Sequence, residues 1–248
     1  MFETETSPDQ LQKHITSTYF SLRWSIFVLS VSLPIVLYLI GRYSDIALLP
    51  SMSDYYPHGT DGSRNWFVGS LFAVGCALYA YRGYSDIENV SLDAAGVLAL
   101  GIALFPCRCG NRLAAPTPHG FCAVTFFLVM AFVCIKCAPE TLTLMTRPED
   151  RKKRVLFERA YYIIAAFMIV SPGLAYGFSA LTGHDGSRTF FVEAFGVYSF
   201  AAYWLTKNIE LKITDAEELA SHGLAKRQAG RVVRVAEMPS AGIRPDRL

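Results

Sequence analysis

The chain has 248 residues, 52% of them hydrophobic and only 18% charged, with a net charge of +2. Soluble domains carry about a quarter charged residues, so this composition speaks against one. The small net charge, without a basic-aromatic stripe, excludes nucleic acid as a partner. The charges crowd into the first two dozen residues, a segment around 147–159 and the stretch beyond Lys207. Long apolar runs lie between them, the pattern of a polytopic membrane protein.

The opening Met1-Phe2-Glu3-Thr4-Glu5 is acidic and polar. It lacks the basic start and cleavage site of a secretory signal, so the first apolar run is expected to be a retained helix. No lipidation signal is evident. About 20 apolar residues cross roughly 30 Å of hydrocarbon, and six segments approach that length. They run from Ser21 to Gly41, Trp66 to Tyr81, Asp93 to Pro106, Gly120 to Ala138, Leu156 to Phe178 and Thr189 to Leu205. Pro34 interrupts the first, which a membrane helix tolerates if neighbours satisfy the freed carbonyl. Asp93 is expected to cap the third. The expected fold is therefore all-α, a bundle of about six transmembrane helices over 21–207. A short cytoplasmic segment, 1–20, precedes it, and a polar, flexible cytoplasmic tail, 208–248, follows.

Basic residues in short loops set the orientation. The loop after the fourth segment holds Arg147, Arg151, Lys152, Lys153 and Arg154, and the C-terminal flank adds Lys207, Lys212, Lys226, Arg227, Arg231 and Arg234. Both termini are thus expected to be cytoplasmic, with loops 42–65, 107–119 and 179–188 outside. Basic residues of the tail are placed to brush anionic headgroups, or simply to be solvated.

Polar chemistry gathers in the outer loops. Asp61-Gly62-Ser63-Arg64 precedes Trp66-Phe67-Val68, and Asp185-Gly186-Ser187-Arg188 precedes Phe190-Phe191-Val192. The echo reads either as an internal repeat or as ordinary turn and cap chemistry. Arg64 and Arg188 oppose the helix dipole where they stand. They snorkel to phosphates, bind an anionic headgroup, or pair with Glu193. That glutamate lies about one turn inside the sixth segment, and an intramembrane carboxylate is a functional candidate. Its expected partners are Arg64, His119 or His184.

His58, His119 and His184 share the same side. With a carboxylate, three imidazoles would make an open Zn²⁺ site whose fourth position holds an acidified water. No HxxxH or HExxH spacing anchors such a site, and loop histidines also serve as plain interface residues. Cys134-x-x-Cys137 is half of a redox or zinc motif, here read as two small packing residues. Cys107 and Cys109 are too close in sequence for an unstrained disulfide.

Ser51-x-Ser53-Asp54-Tyr55-Tyr56-Pro57-His58, the run Arg64 to Ala73, Gly101 to Pro106, and His119 opening a helix resemble a group of bacterial six-helix inner-membrane proteins with no assigned activity. A more distant similarity is to the CREST membrane hydrolases, which include alkaline ceramidases and adiponectin receptors. That resemblance implies a zinc-dependent attack on a lipid amide, with Ser53, His58 and His119 as part of the Ser, Asp and His set.

Three functions follow as expectations. The first is a multi-pass protein whose outer polar pocket of His58, Arg64, His119, His184, Arg188 and Glu193 binds a lipid headgroup, a small anion or a partner subunit, with Ser53 at its edge. The second is a hydrolase of lipid amides or esters, with His58, His119 and His184 on zinc and Asp61 or Glu193 as general base. The third is a transporter or channel using Glu193. Small residues around Gly69 and Gly75 permit close helix contact within one bundle or between two copies.

Overall fold

The structure is a computed structural model and describes residues 8–105, 117–182, 188–228 and 230–235. In chain order its helices are α1 (Pro8–Tyr43), α2 (Tyr55–His58), α3 (Asp61–Ala80), α4 (Asp86–Leu104), α5 (Pro118–Phe132), α6 (Arg151–Thr182), α7 (Arg188–Thr214) and α8 (Ala216–Ser221). A small antiparallel hairpin, β1 (Ala225–Gln228) and β2 (Arg231–Arg234), ends the described chain. Each of the six apolar segments falls largely on helix among the described residues.

The long helices close a ring. α1 packs on α3, α3 on α4, α4 on α5, α5 on α6, α6 on α7, and α7 returns to α1. Leu37, Leu78, Leu92, Met130, Met168 and Trp204 fill the centre and are fully buried. Two contacts set how tightly the ring closes. A Cβ on Gly75 would stand 2.9 Å from the Gly96 carbonyl oxygen, and one on Gly96 would stand 2.7 Å from that of Gly75. α3 and α4 thus meet backbone to backbone, the close approach that small residues allow between membrane helices. Gly75 is used inside the bundle, whereas Gly69 faces open space.

The outside of the ring is apolar. Leu39 on α1, Val97 on α4, Phe121 on α5, Leu156 on α6 and Phe191 on α7 are all exposed. Four helical stretches, Gln10–Tyr43, Asp86–Leu104, Pro118–Leu144 and Pro148–Ala175, are long and apolar enough to cross a membrane. Only 22% of the most apolar part of the last is buried, so its greasy surface points outward. An apolar exterior of this extent fits acyl chains rather than water. α3 and α7 have the length but carry more polar residues, among them Asp61, Arg64 and Asn65 on α3 and Glu193, Lys207, Asn208 and Glu210 on α7.

Three details depart from the sequence reading. α4 begins at Asp86 rather than Asp93, because Ser85 is its N-cap: the Ser85 side chain accepts the Glu88 N–H at 3.2 Å. Asp93 is inside the helix, paired with Arg82. After Phe132 the fourth segment loosens into a π-helical turn, Val133–Cys137, and then tightens into a 3₁₀ stretch, Ala138–Leu144. Pro139 explains the change, since it has no N–H to continue the α-helical ladder. Cys134 and Cys137 are free and buried there, as packing residues would be.

The third departure is the tail. α7 runs past Lys207 to Thr214, and α8 and the hairpin fold back onto the bundle. Ala216, Leu219 and Val232 are buried, and the Thr143 hydroxyl donates to the Val232 carbonyl. Polar as they are, residues 208–228 and 230–235 are held by contacts that local composition does not reveal. The Gln12 amide donates to the Ser221 carbonyl at 3.0 Å, so the start of α1 lies beside α8. This end of the bundle is called the lower end below. The opposite one, carrying residues 44–60 and the start of α7, is the upper end.

Candidate functional site

At the upper end, Glu193 binds the loop between α1 and α3. The Ser51 hydroxyl lies 2.7 Å from both carboxylate oxygens, and the Met52 N–H donates to Oε2 at 2.7 Å. Met52–Asp54 is a short 3₁₀ turn with Ser51 as N-cap. A carboxylate at the start of such a turn receives an otherwise unpaired N–H. The Ser53 hydroxyl, also buried, is 2.8 Å from that of Ser51. The Phe190 N–H donates to the Pro50 carbonyl at 2.7 Å and completes the latch.

The other residues expected around Glu193 have different partners. His119 is buried at the start of α5, and its Nδ1 lies 3.0 Å from the Ile102 carbonyl and 2.9 Å from that of Phe105. Both are acceptors, so Nδ1 carries the proton and ties α5 to the finishing turn of α4. Metal-bound imidazoles are anchored in this way through their second ring nitrogen. Among the described residues, however, no three His, Cys, Asp or Glu side chains come together to hold a metal. His58 is exposed at the end of α2, and His184, with Asp185, Gly186 and Ser187, lies outside the described residues. Arg64 pairs with Asp61 one helical turn away, both on the exposed first turn of α3. Arg188 is exposed at the first position of α7.

The larger polar assembly lies at the lower end and was missed in the sequence. Lys207 and Glu210 are both completely enclosed, with Nζ 2.8 Å from Oε2. Nζ also donates to the Thr141 hydroxyl at 2.7 Å and the Ala138 carbonyl at 3.2 Å. The Thr141 hydroxyl lies 2.7 Å from Glu210 Oε1, and the Tyr161 hydroxyl donates to Oε2 at 3.0 Å. One ion pair thus binds α6, α7 and the 3₁₀ stretch together, with its donors and acceptors matched, as a buried pair requires.

Arg23 forms the adjoining half. Its side chain is 1% exposed although it sits on an apolar helix. Nε donates to Asn208 Oδ1 at 2.7 Å, and both terminal nitrogens donate to the Glu217 carboxylate. The fork ties α1 to α7 and α8, and the guanidinium also stands 5.9 Å from the Tyr81 ring centre. Tyr81 packs edge-on against Trp204 with centroids 5.2 Å apart. Lys207 Nζ is 5.9 Å from the ring of Tyr84, and burial pushes that phenol's pKa well up.

Glu88 completes the layer. Ser85-x-x-Glu88 is a capping-box spacing, and Glu88 Oε2 accepts the Tyr84 N–H at 2.8 Å. Gly83 makes room, since a Cβ there would fall 2.3 Å from the Glu88 carboxyl carbon. Oε1 of Glu88 is buried without a partner, as are Asn208 Nδ2 and Trp204 Nε1. Counting formal charges, the layer holds the carboxylates of Glu88, Glu210 and Glu217 against the cations of Arg23 and Lys207. At its edge, Glu140 and Arg227 pair and leave the balance unchanged.

Only one sequence signal pointed here, the charges Lys207 and Glu210 following directly on an apolar run. The upper and lower sites share α7: Glu193 and Glu210 are 17 residues apart, about 25 Å along a helix.

The chain matches no family model, no curated protein and no solved structure. Four helices long and apolar enough to cross a membrane mark it as a helical membrane protein, and charged groups are enclosed at one end of its bundle.

Proposed function

We propose that this protein crosses the bacterial inner membrane six times with both termini in the cytoplasm, and that its lower-end layer takes up a proton or a small monovalent cation. The orientation rests on the basic residues of 147–154 and of the stretch after Lys207, which adjoin the lower end and favour the cytoplasmic side. α3 and α7 count as crossings because they occupy the same ring as the four more apolar helices. The observation carrying the function is Glu88, 2% exposed, with one oxygen unpartnered in a layer holding one more carboxylate than cations. An enclosed carboxylate of this kind in a membrane protein is a candidate for ion handling.

This relocates the transport reading from Glu193, whose carboxylate is engaged in the upper latch. Headgroup binding at the upper end has less support, because Arg64 is already paired with Asp61. The hydrolase reading has least, because Asp61 is exposed and bound to Arg64.

The test is flux into proteoliposomes. A pH-sensitive dye, and separately a Na⁺-sensitive one, should report uptake by the wild type that Glu88→Gln abolishes and Glu193→Gln leaves in place. Gln retains an acceptor for the Tyr84 N–H, so the helix cap survives. No uptake of either ion by folded wild-type protein would end the proposal, and so would undiminished uptake by Glu88→Gln.

A further inference from the structure

We infer that the lower end carries a docking surface for anionic phospholipid, formed by the first turn of α6 together with the β1–β2 hairpin. Both elements flank the 3₁₀ stretch Ala138–Leu144 and pack on it. Arg151, Lys152 and Arg154 are exposed on α6, and Lys226, Arg231 and Arg234 are exposed on the hairpin.

What distinguishes these six cations is that three of the neighbouring acids are already engaged with other cations. Asp150 pairs with Lys153, Glu149 with Arg147, and Glu140 with Arg227. Among the described residues none of the six has a carboxylate partner, so their charge faces outward.

Their level relative to the apolar surface identifies the counter-charge. Val155 and Leu156 follow Arg154 immediately and are 40% and 67% exposed, opening the outward greasy face of α6. Val235, next to Arg234, is 39% exposed. Cations that stand where an apolar exterior begins are at headgroup depth, with stems along acyl chains and heads among phosphates.

The hairpin is not free to swing away. Val232 is buried, the Thr143 hydroxyl holds its carbonyl, and Arg227 donates twice to Glu140. The hairpin is therefore fixed on the same 3₁₀ stretch that α6 packs against. A phosphodiester bearing a net negative headgroup, such as phosphatidylglycerol, matches this surface; a zwitterionic headgroup does not.

The experiment uses the full chain in neutral detergent. Phosphatidylglycerol or phosphatidylcholine is added, and bound lipid is counted by native mass spectrometry. The wild type should retain phosphatidylglycerol at least tenfold better. Changing Arg151, Lys152 and Arg154 to Gln, or Lys226, Arg231 and Arg234 to Gln, should reduce that retention on the order of a hundredfold, from about 1 kcal/mol per charge. Arg→Lys at the same arginines should preserve it, and Arg64→Gln with Arg188→Gln at the other end should leave it unchanged. Equal retention of the two lipids, or triple variants that bind like the wild type, would overturn the inference. Displacement of lipid by millimolar inorganic phosphate would likewise overturn it, by showing a site for free anion.

Discussion

Lys207 and Glu210 stand one turn apart on α7, their charges 2.8 Å from each other and both side chains at most 1% exposed. Each would be costly to bury alone, and together they supply or accept five of the hydrogen bonds that join α7 to its neighbours and to each other. Glu210→Ala should therefore cost about 3–5 kcal/mol, the penalty of stranding a buried cation. Lys207→Met combined with Glu210→Met should recover most of that loss. Unfolding of the detergent-solubilised protein measures both; a single variant as stable as the double would contradict this account.

Arg23 reaches α8 through a two-pronged bond to Glu217. Arg23→Lys keeps the charge and loses the fork. Trypsin should then cut after Lys226 and Arg227 several-fold faster than in the wild type, while the long helices remain intact. Unchanged cleavage would mean that Arg23 does not hold the C-terminal segment in place.

The α3–α4 contact leaves no room for a methyl group at Gly96, whereas Gly69 has nothing within 4 Å of its would-be Cβ. Gly96→Ala should destabilise by about 1–3 kcal/mol, the usual cost of overpacking. Gly69→Ala should cost nothing or stabilise slightly, since alanine favours helix. Thermal melts of the pair decide it, and equal shifts would refute the contact.

Glu193→Ala removes the acceptor of the Met52 N–H and the Ser51 hydroxyl, so residues 50–54 should come loose. Hydrogen exchange at Met52 should rise by an order of magnitude or more, from the roughly 1–3 kcal/mol cost of each stranded group. Arg64→Ala breaks an exposed pair only and should change stability by less than about 1 kcal/mol. An Arg64 effect larger than that of Glu193 would reverse the ranking of the two.

The six helical segments were legible because apolar run length reports helix directly in a membrane chain. Their ends were less so. The sequence puts the start of α4 at Asp93, because polar Ser85-Asp86-Ile87-Glu88 reads as loop until its capping geometry is seen. The upper site was legible in membership but not in partnership. Glu193 and Ser53 do belong to one cluster, yet the carboxylate binds Ser51 and Met52, while His119 is committed to carbonyls of α4. Nothing in residue spacing separates a glutamate facing an imidazole from one facing a loop amide.

Composition and hydropathy alone determined that the chain is a helical membrane protein, since crossing hydrocarbon demands long apolar stretches that satisfy their own backbone. Only the tertiary structure decided where the charge is enclosed. Arg23, Glu88, Lys207, Glu210 and Glu217 come from four separate helices, and each reads singly as a solvated end or a cap. They become one layer because α7 returns to α1 and closes the ring. Burial depends on what the rest of the chain places overhead, and that is a property of contacts distant in sequence.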